Sequence, residues 1–198
     1  MDRLHKISEK FPMQIIYSGK AHPKDHEGKV AIQNIRNSID EINKKNGNGK
    51  LRAGYIIGYD PEISLRLLSG ADVWLNNPRR TREASGTSWM KASLNGCINL
   101  STEDGSICEA NEIYPETIYI IGPKGTSNFE DPNPHQEDEI DSNSLYERLE
   151  QIGEEYYAGE KDGPSEAWEK RRAKAPKLIS EYNTHRLVKD KIKNVWEI

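Results

Sequence analysis

Long apolar runs are missing from this 198-residue sequence. Nothing in it approaches the roughly 18 consecutive apolar residues of a membrane helix, and the opening MDRLHKISEK lacks the apolar core of a secretory signal. The chain is therefore expected in the cytoplasm, away from membranes. Cysteine is scarce: Cys97 and Cys108 are the only two. That excludes a disulfide framework or a zinc pair and predicts reduced thiols in the core. No charge of one sign dominates, since 28 basic and 32 acidic residues leave a net charge of −4. An electrostatic footprint for nucleic acid is excluded, and neutral or anionic small substrates remain. Apolar residues are sparse as well, 34% against 30% charged. A domain of this length buries roughly 70% of its extended surface, so so wet a composition suggests that a covering partner is missing.

What is present alternates between strand-like and helix-like patterns. Residues 1–10 suit the end of a surface helix stopped at Phe11-Pro12. MQIIYS at 13–18 is a short β-branched run that ends at Gly19, as buried parallel strands do. Apolar positions at Val30, Ile32, Ile35, Ile39 and Ile42 predict a helix. A turn at 46–49 precedes the strand LRAGYIIGYD, and Pro61 opens another helix. DVWLN (72–76), GCINLS (96–101) and TIYIIG (117–122) supply further strands. This alternation predicts an open parallel α/β sheet. Residues 124–144 are polar and acidic and read as an exposed loop. Residues 144–158, 164–181 and 184–196 read as amphipathic helices, with Trp168, Leu178, Ile179, Leu187, Val188, Ile192 and Trp196 on their apolar faces.

The chemistry concentrates between Asp72 and Glu109. Glu83-Ala84-Ser85-Gly86-Thr87 sets a carboxylate and small residues just before a helix expected over 88–95, whose free amides and dipole favour an anion. Lys91 follows in the first turns, where its amine can reach a carbonyl in the same pocket. The same residues also read as an ordinary helix start, with Thr87 or Ser88 capping and Lys91 a surface lysine. Arg79, Arg80 and Arg82 read either as a phosphate clamp or as a solvated basic loop. His22, Asp25, His26 and Glu27 match no familiar metal spacing, and no metal is expected.

As a whole the string resembles the pyridoxal phosphate segment of the glycogen and starch phosphorylase family, E-A-S-G-T-x-x-M-K, and all seven fixed positions match. QIIYSGKAHPKDHEGK at 14–29 is similar to that family's strand and Gly-Lys-Ala-x-Pro loop. DVWLNNPRR at 72–80, Leu94-Asn95-Gly96, Asp104-Gly105 with Glu109, and YNTHRLVKDKI at 182–192 resemble its bacterial and archaeal branch.

The resemblance implies part of a Rossmann-like doubly wound parallel sheet, the carboxy-terminal half of a GT-B glycosyltransferase architecture, over 1–123. A loop at 124–144 and a helical segment at 145–198 would follow. It further implies transfer of a glucosyl group from an α-1,4-glucan end to inorganic phosphate, giving glucose 1-phosphate. The cofactor implied is pyridoxal 5'-phosphate, tethered to Lys91, with its phosphate held by Thr87 and Ser88 and acting as general acid and base. Glu83, with the amides of Ser85 and Gly86, would hold glucose hydroxyls. No metal is implied.

The family's Arg and Lys cluster, its large amino-terminal domain and the first, central strand of its sheet are expected to lie outside this sequence, so a second chain carrying them is an expected partner. Ile57 and Gly58 depart from the family pattern. So does Trp89, which stands where the branch usually carries Gly and is expected on the cofactor side of the pocket. Two alternatives stay open: an inactive remnant that binds sugar, phosphate or a partner protein, and a nucleotide-sugar glycosyltransferase without pyridoxal phosphate.

Overall fold

Short β-branched runs form the strands, and capped amphipathic segments form the helices between them. The computed structural model describes residues 2–45, 49–123, 134–159 and 163–196. The turn expected at 46–49 and the first part of the loop expected at 124–144 lie largely outside these residues. The strands are β1 (Met13–Ser18), β2 (Leu51–Ile56), β3 (Val73–Asn76), β4 (Ile98–Thr102) and β5 (Ile118–Ile121). The helices are α1 (Asp2–Lys10), α2 (His26–Lys44), α3 (Pro61–Gly70), α4 (Ser88–Leu94), α5 (Ile107–Ile113), α6 (Pro134–Tyr156), α7 (Glu166–Lys174) and α8 (Thr184–Lys191).

Local chemistry explains where several helices start. The Asp25 carboxylate accepts from the Gly28 amide at 2.8 Å to open α2, and Asp60 does the same for Ile63 at 2.8 Å in α3. Ser165 accepts from Trp168, and Asn183 from Arg186, at the starts of α7 and α8. Each such cap contributes about 1 kcal/mol by satisfying an otherwise orphaned amide.

All strand pairs are parallel. Instead of one continuous sheet, the strands form two pieces, β1-β2 and β3-β4-β5. Helices cover both faces of the larger piece. Ile98, Leu100, Tyr119 and Ile121 pack with Ile152 of α6 and Trp168 of α7 on one face. On the other, Ile118 and Ile120 pack with Trp89, Ile107, Ala110 and Leu178. The smaller piece packs through Leu51, Met13, Ile15 and Ala53 against Leu4, Ile42, Tyr146 and Leu149. Leu149 of α6 packs against the cores under both pieces.

Two expectations for the carboxy-terminal half change. Residues 134–144 are the first turns of α6, not loop. Their acidic side chains reach back across the fold: Asp138 pairs with Arg79 at 2.7 Å, and Glu137 and Asp141 pair with Arg80 at 3.3 and 2.8 Å. Tertiary ion pairing there overrides a composition that reads as loop. The single helix expected over 164–181 stops at Lys174 and continues as a 3-10 stretch over Ala175–Ser180. Pro176 lacks the amide and crowds the preceding turn. After α8, Ile192–Trp196 forms a π turn. Leu187, Val188, Ile192 and Trp196, expected on an apolar face, are exposed. No described helix is long and apolar enough to cross a membrane.

Candidate functional site

Residues 82–87 lie in the loop between β3 and α4, and the loop is held from behind by residues 104–106. The Asp104 carboxylate accepts from the backbone amides of Arg82 at 3.0 Å and Glu83 at 2.8 Å. The Ser106 amide donates to the Ser85 carbonyl at 3.0 Å, and the Ser106 hydroxyl donates to the same oxygen at 2.5 Å. Between them Gly105 has φ +57°, and a β-carbon there would stand 2.9 Å from the carbonyl oxygens of Glu83 and Ser85. Only glycine permits so close a backbone approach. The Asp104-Gly105 pair is visible in the sequence, but its clamping of the loop is not.

Trp89 supports the loop from beneath. Its side chain is fully buried in the core beside Ile107 and Leu178. It meets Tyr182 edge-on, with ring centroids 4.9 Å apart, and its indole N–H donates to the Ser106 hydroxyl at 3.2 Å. The Tyr182 hydroxyl donates to the Ser106 carbonyl at 3.2 Å, and burial, followed by the charge of Glu109, pushes that phenol up to about 12. The expectation that Trp89 projects toward the cofactor side is overturned: its neighbours i+3 and i+4, Ala92 and Ser93, are also buried, so this stripe of α4 faces inward. Gly86 has φ +78°, and a β-carbon there would lie 3.2 Å from Trp89 Cδ1.

The opposite stripe of α4 faces outward. Thr87 and Lys91 are exposed and lie one helical turn apart. Thr87 occupies the cap position without a side-chain cap hydrogen bond, which leaves its hydroxyl uncommitted. The Ser88 hydroxyl accepts from the Trp74 indole at 3.4 Å. Ser85 is exposed, while Glu83, Gly86 and Ser88 are half-buried. Among the described residues nothing hydrogen-bonds the Glu83 carboxylate or the Lys91 amine, and no described residue encloses that amine. The carboxylate, the small-residue amides, Thr87 and Lys91 thus share one end of the β3–α4 connection, at the carboxyl ends of the strands.

The remaining candidates are spent elsewhere. Arg80 is buried among Glu137, Asp141 and the Ile121 carbonyl, to which it donates at 2.7 Å. Arg79 is taken by Asp138. Neither is a phosphate clamp, and only Arg82 projects freely as the solvated-loop reading expects. His22 Nδ1 accepts from the Lys24 amide and Asp25 caps α2, so that loop is organised by local hydrogen bonds. Among the described residues no three His, Cys, Asp or Glu side chains are grouped to hold a metal ion. Cys97 is buried and Cys108 partly so, both free. Burial raises the Cys97 thiol to about 11, which leaves it protonated and inert.

A parallel α/β layer that presents a glycine-containing loop and a free lysine at the carboxyl ends of its strands is the architecture of a small-ligand site. Residues 2–196 match the family model described as Carbohydrate phosphorylase. The chain is 34% identical over 193 residues to the maltodextrin phosphorylase of Thermococcus litoralis, covering 96% of this chain and 21% of that protein. It is 33% identical over 176 residues to the glycogen phosphorylase of Mycobacterium tuberculosis, covering 84% and 18%. With the glycogen phosphorylase of Aquifex aeolicus the identity is 46% over 108 residues, 53% of this chain and 15% of that one. This chain belongs to the carbohydrate phosphorylase family. The matched stretches span 15% to 21% of the length of these curated relatives.

Proposed function

We propose that this chain carries the cofactor and glucosyl portion of an α-1,4-glucan phosphorylase, which moves a glucosyl group from a glucan end to inorganic phosphate and yields glucose 1-phosphate. What supports this reading is the family match together with exposed Ser85, Thr87 and Lys91 close in sequence to half-buried Glu83 and Gly86, on a backbone that Asp104, Ser106 and Trp89 hold from behind.

Pyridoxal 5'-phosphate fits this group of residues. The Lys91 amine is free to tether an aldehyde, and one turn away the uncommitted Thr87 hydroxyl, with the first amides of α4 and Ser88, offers donors to a phosphate. When bound, the cofactor supplies a phosphate that exchanges a proton with the substrate phosphate. The Glu83 carboxylate accepts hydrogen bonds from sugar hydroxyls, and the Ser85 and Gly86 amides donate to them. Charge-assisted bonds of this kind orient the glucosyl unit for transfer.

Because Lys91 is exposed, turnover in this reading needs further protein, beyond the described residues, to close the site, exclude water and grip the substrate phosphate. The chain is incubated with pyridoxal phosphate, reduced with borohydride and mapped by peptide mass spectrometry. Modification confined to Lys91 is expected; modification spread over other lysines, or none, rejects the cofactor assignment. The exposure of Lys91 favours a second reading, binding of sugar or phosphate without turnover. Glucose 1-phosphate formed from maltodextrin and phosphate by the complemented protein eliminates it.

A further inference from the structure

Trp74 of β3 lies opposite Asn99 of β4, and both side chains reach α4. The Trp74 indole N–H donates to the Ser88 hydroxyl at 3.4 Å in the first turn of that helix, and the Asn99 side-chain amide donates to the Ser93 hydroxyl at 2.7 Å in its last. Alternation along β3 sends Val73 to the core under α6 and α7 and Trp74 to the other face, where it packs against Leu68, Ala92 and Cys97. Packing thus holds the ring in place, and its one polar atom is spent on Ser88.

An indole nitrogen only donates, so the Ser88 oxygen is the acceptor in this bond and its own proton is left to give. The second indole at this loop differs at the next link. Trp89 also donates to a serine hydroxyl, that of Ser106, but Ser106 donates onward to the Ser85 carbonyl. Among the described residues nothing accepts from the Ser88 hydroxyl, and Ser88 is half-buried, open in part to solvent. Accepting one hydrogen bond makes a hydroxyl a stronger donor, and the occupied lone pair leaves it poorer at receiving a second proton. Ser88 is thereby biased toward ligand atoms that only accept, as phosphate oxygens do, over sugar hydroxyls, which also donate.

We propose that Trp74 is a positioning residue for phosphate recognition: by donating to Ser88 it fixes that hydroxyl as a donor to the phosphate of a phosphorylated aldehyde tethered at Lys91. Lys91 stands three residues beyond Ser88, a spacing that makes two side chains neighbours on a helix, so one small molecule can engage both. The assignment rests on the phosphorylase reading above and adds to it a residue from outside the Glu83–Lys91 string.

The full 198-residue chain is titrated with pyridoxal phosphate and, separately, with pyridoxal, and the fraction fixed at Lys91 by borohydride is read by peptide mass spectrometry. Trp74→Phe keeps an aromatic ring against Leu68 and Ala92 and deletes the donor. It is expected to weaken pyridoxal phosphate binding about three- to tenfold and to leave pyridoxal binding unchanged. Ser88→Ala is expected to produce the same selective loss, and Trp74→Phe added to Ser88→Ala no further loss, since the indole acts through the hydroxyl. A purely structural indole gives a different result: equal weakening of both aldehydes, unchanged pyridoxal phosphate affinity, or a Trp74→Phe effect that persists in the Ser88→Ala background. Any of these overturns the proposal.

Nuclear magnetic resonance on the unsubstituted chain gives a reading that does not depend on the folding of Trp74→Phe. The indole N–H resonance that Ser88→Ala displaces most is that of Trp74, and pyridoxal phosphate is expected to move it further downfield than pyridoxal does; equal shifts overturn the proposal as well. Lys91 left unlabelled by both aldehydes rejects the cofactor reading, and the Trp74 assignment with it. Lys91 labelled with no dependence on Trp74 rejects the Trp74 assignment alone.

Discussion

The indole N–H of Trp89 donates to the Ser106 hydroxyl at 3.2 Å, and that hydroxyl passes the chain on to the Ser85 carbonyl. A buried aromatic side chain is thereby wired to the backbone of the loop that carries the candidate sugar contacts. Trp89→Ala removes this link and opens a cavity beside Ile107 and Leu178, so a loss of about 3–5 kcal/mol is expected in urea unfolding. Trp89→Phe keeps most of the packing and loses only the donor, and is expected to cost less than half as much.

Gly105→Ala places a methyl group against two carbonyl oxygens at a left-handed φ. Strain of about 1–3 kcal/mol follows, relieved only if the 83–85 backbone retreats. Slower borohydride fixation of pyridoxal phosphate at Lys91 is expected alongside the lower stability. Unchanged stability and unchanged labelling together would show that the 104–106 clamp does not position the loop.

Arg80 is fully buried between Glu137 and Asp141. Arg80→Ala strands two carboxylates near the start of α6 and is expected to cost about 3–5 kcal/mol. Far-ultraviolet circular dichroism should lose helix signal, because the ion pairs anchor residues that composition alone would leave as loop.

Burial works to raise the Glu155 carboxyl, but hydrogen bonds from Arg171 at 2.7 and 2.8 Å and from Tyr119 at 2.5 Å outweigh it, and the net shift is downward from 4.5. A carboxyl lowered by folding contributes stability that is fully present above its unfolded value and lost as pH falls through the folded one. Unfolding midpoints measured from pH 7 downward should therefore drop below about 4.5, and Glu155→Gln should flatten that limb. An identical acid limb in the variant would assign the loss to other carboxylates.

Glu83→Ala tests the proposed sugar contact in the complemented enzyme. Its carboxylate supports nothing in the described fold, so stability should hold, while kcat/KM falls by the equivalent of about 2–4 kcal/mol as sugar hydroxyls lose their acceptor. A mutant that unfolds, or that turns over normally, contradicts the assignment.

Periodicity and local punctuation determined most of the element list. Val, Ile and Tyr runs between glycines gave the strands their places, and Asp25, Asp60, Pro61 and Asn183 set helix starts, because these effects act within a few residues of chain. The Glu83–Lys91 string likewise carried the family, since each residue's type and spacing is written locally. Tertiary structure alone decided that Trp89 turns inward, that Arg80 is a buried anchor and that 134–144 is helical. Those outcomes depend on partners far along the chain, Tyr182 and Ser106 for Trp89, Glu137 and Asp141 for Arg80, and pairings at such separation follow from packing that no local pattern encodes.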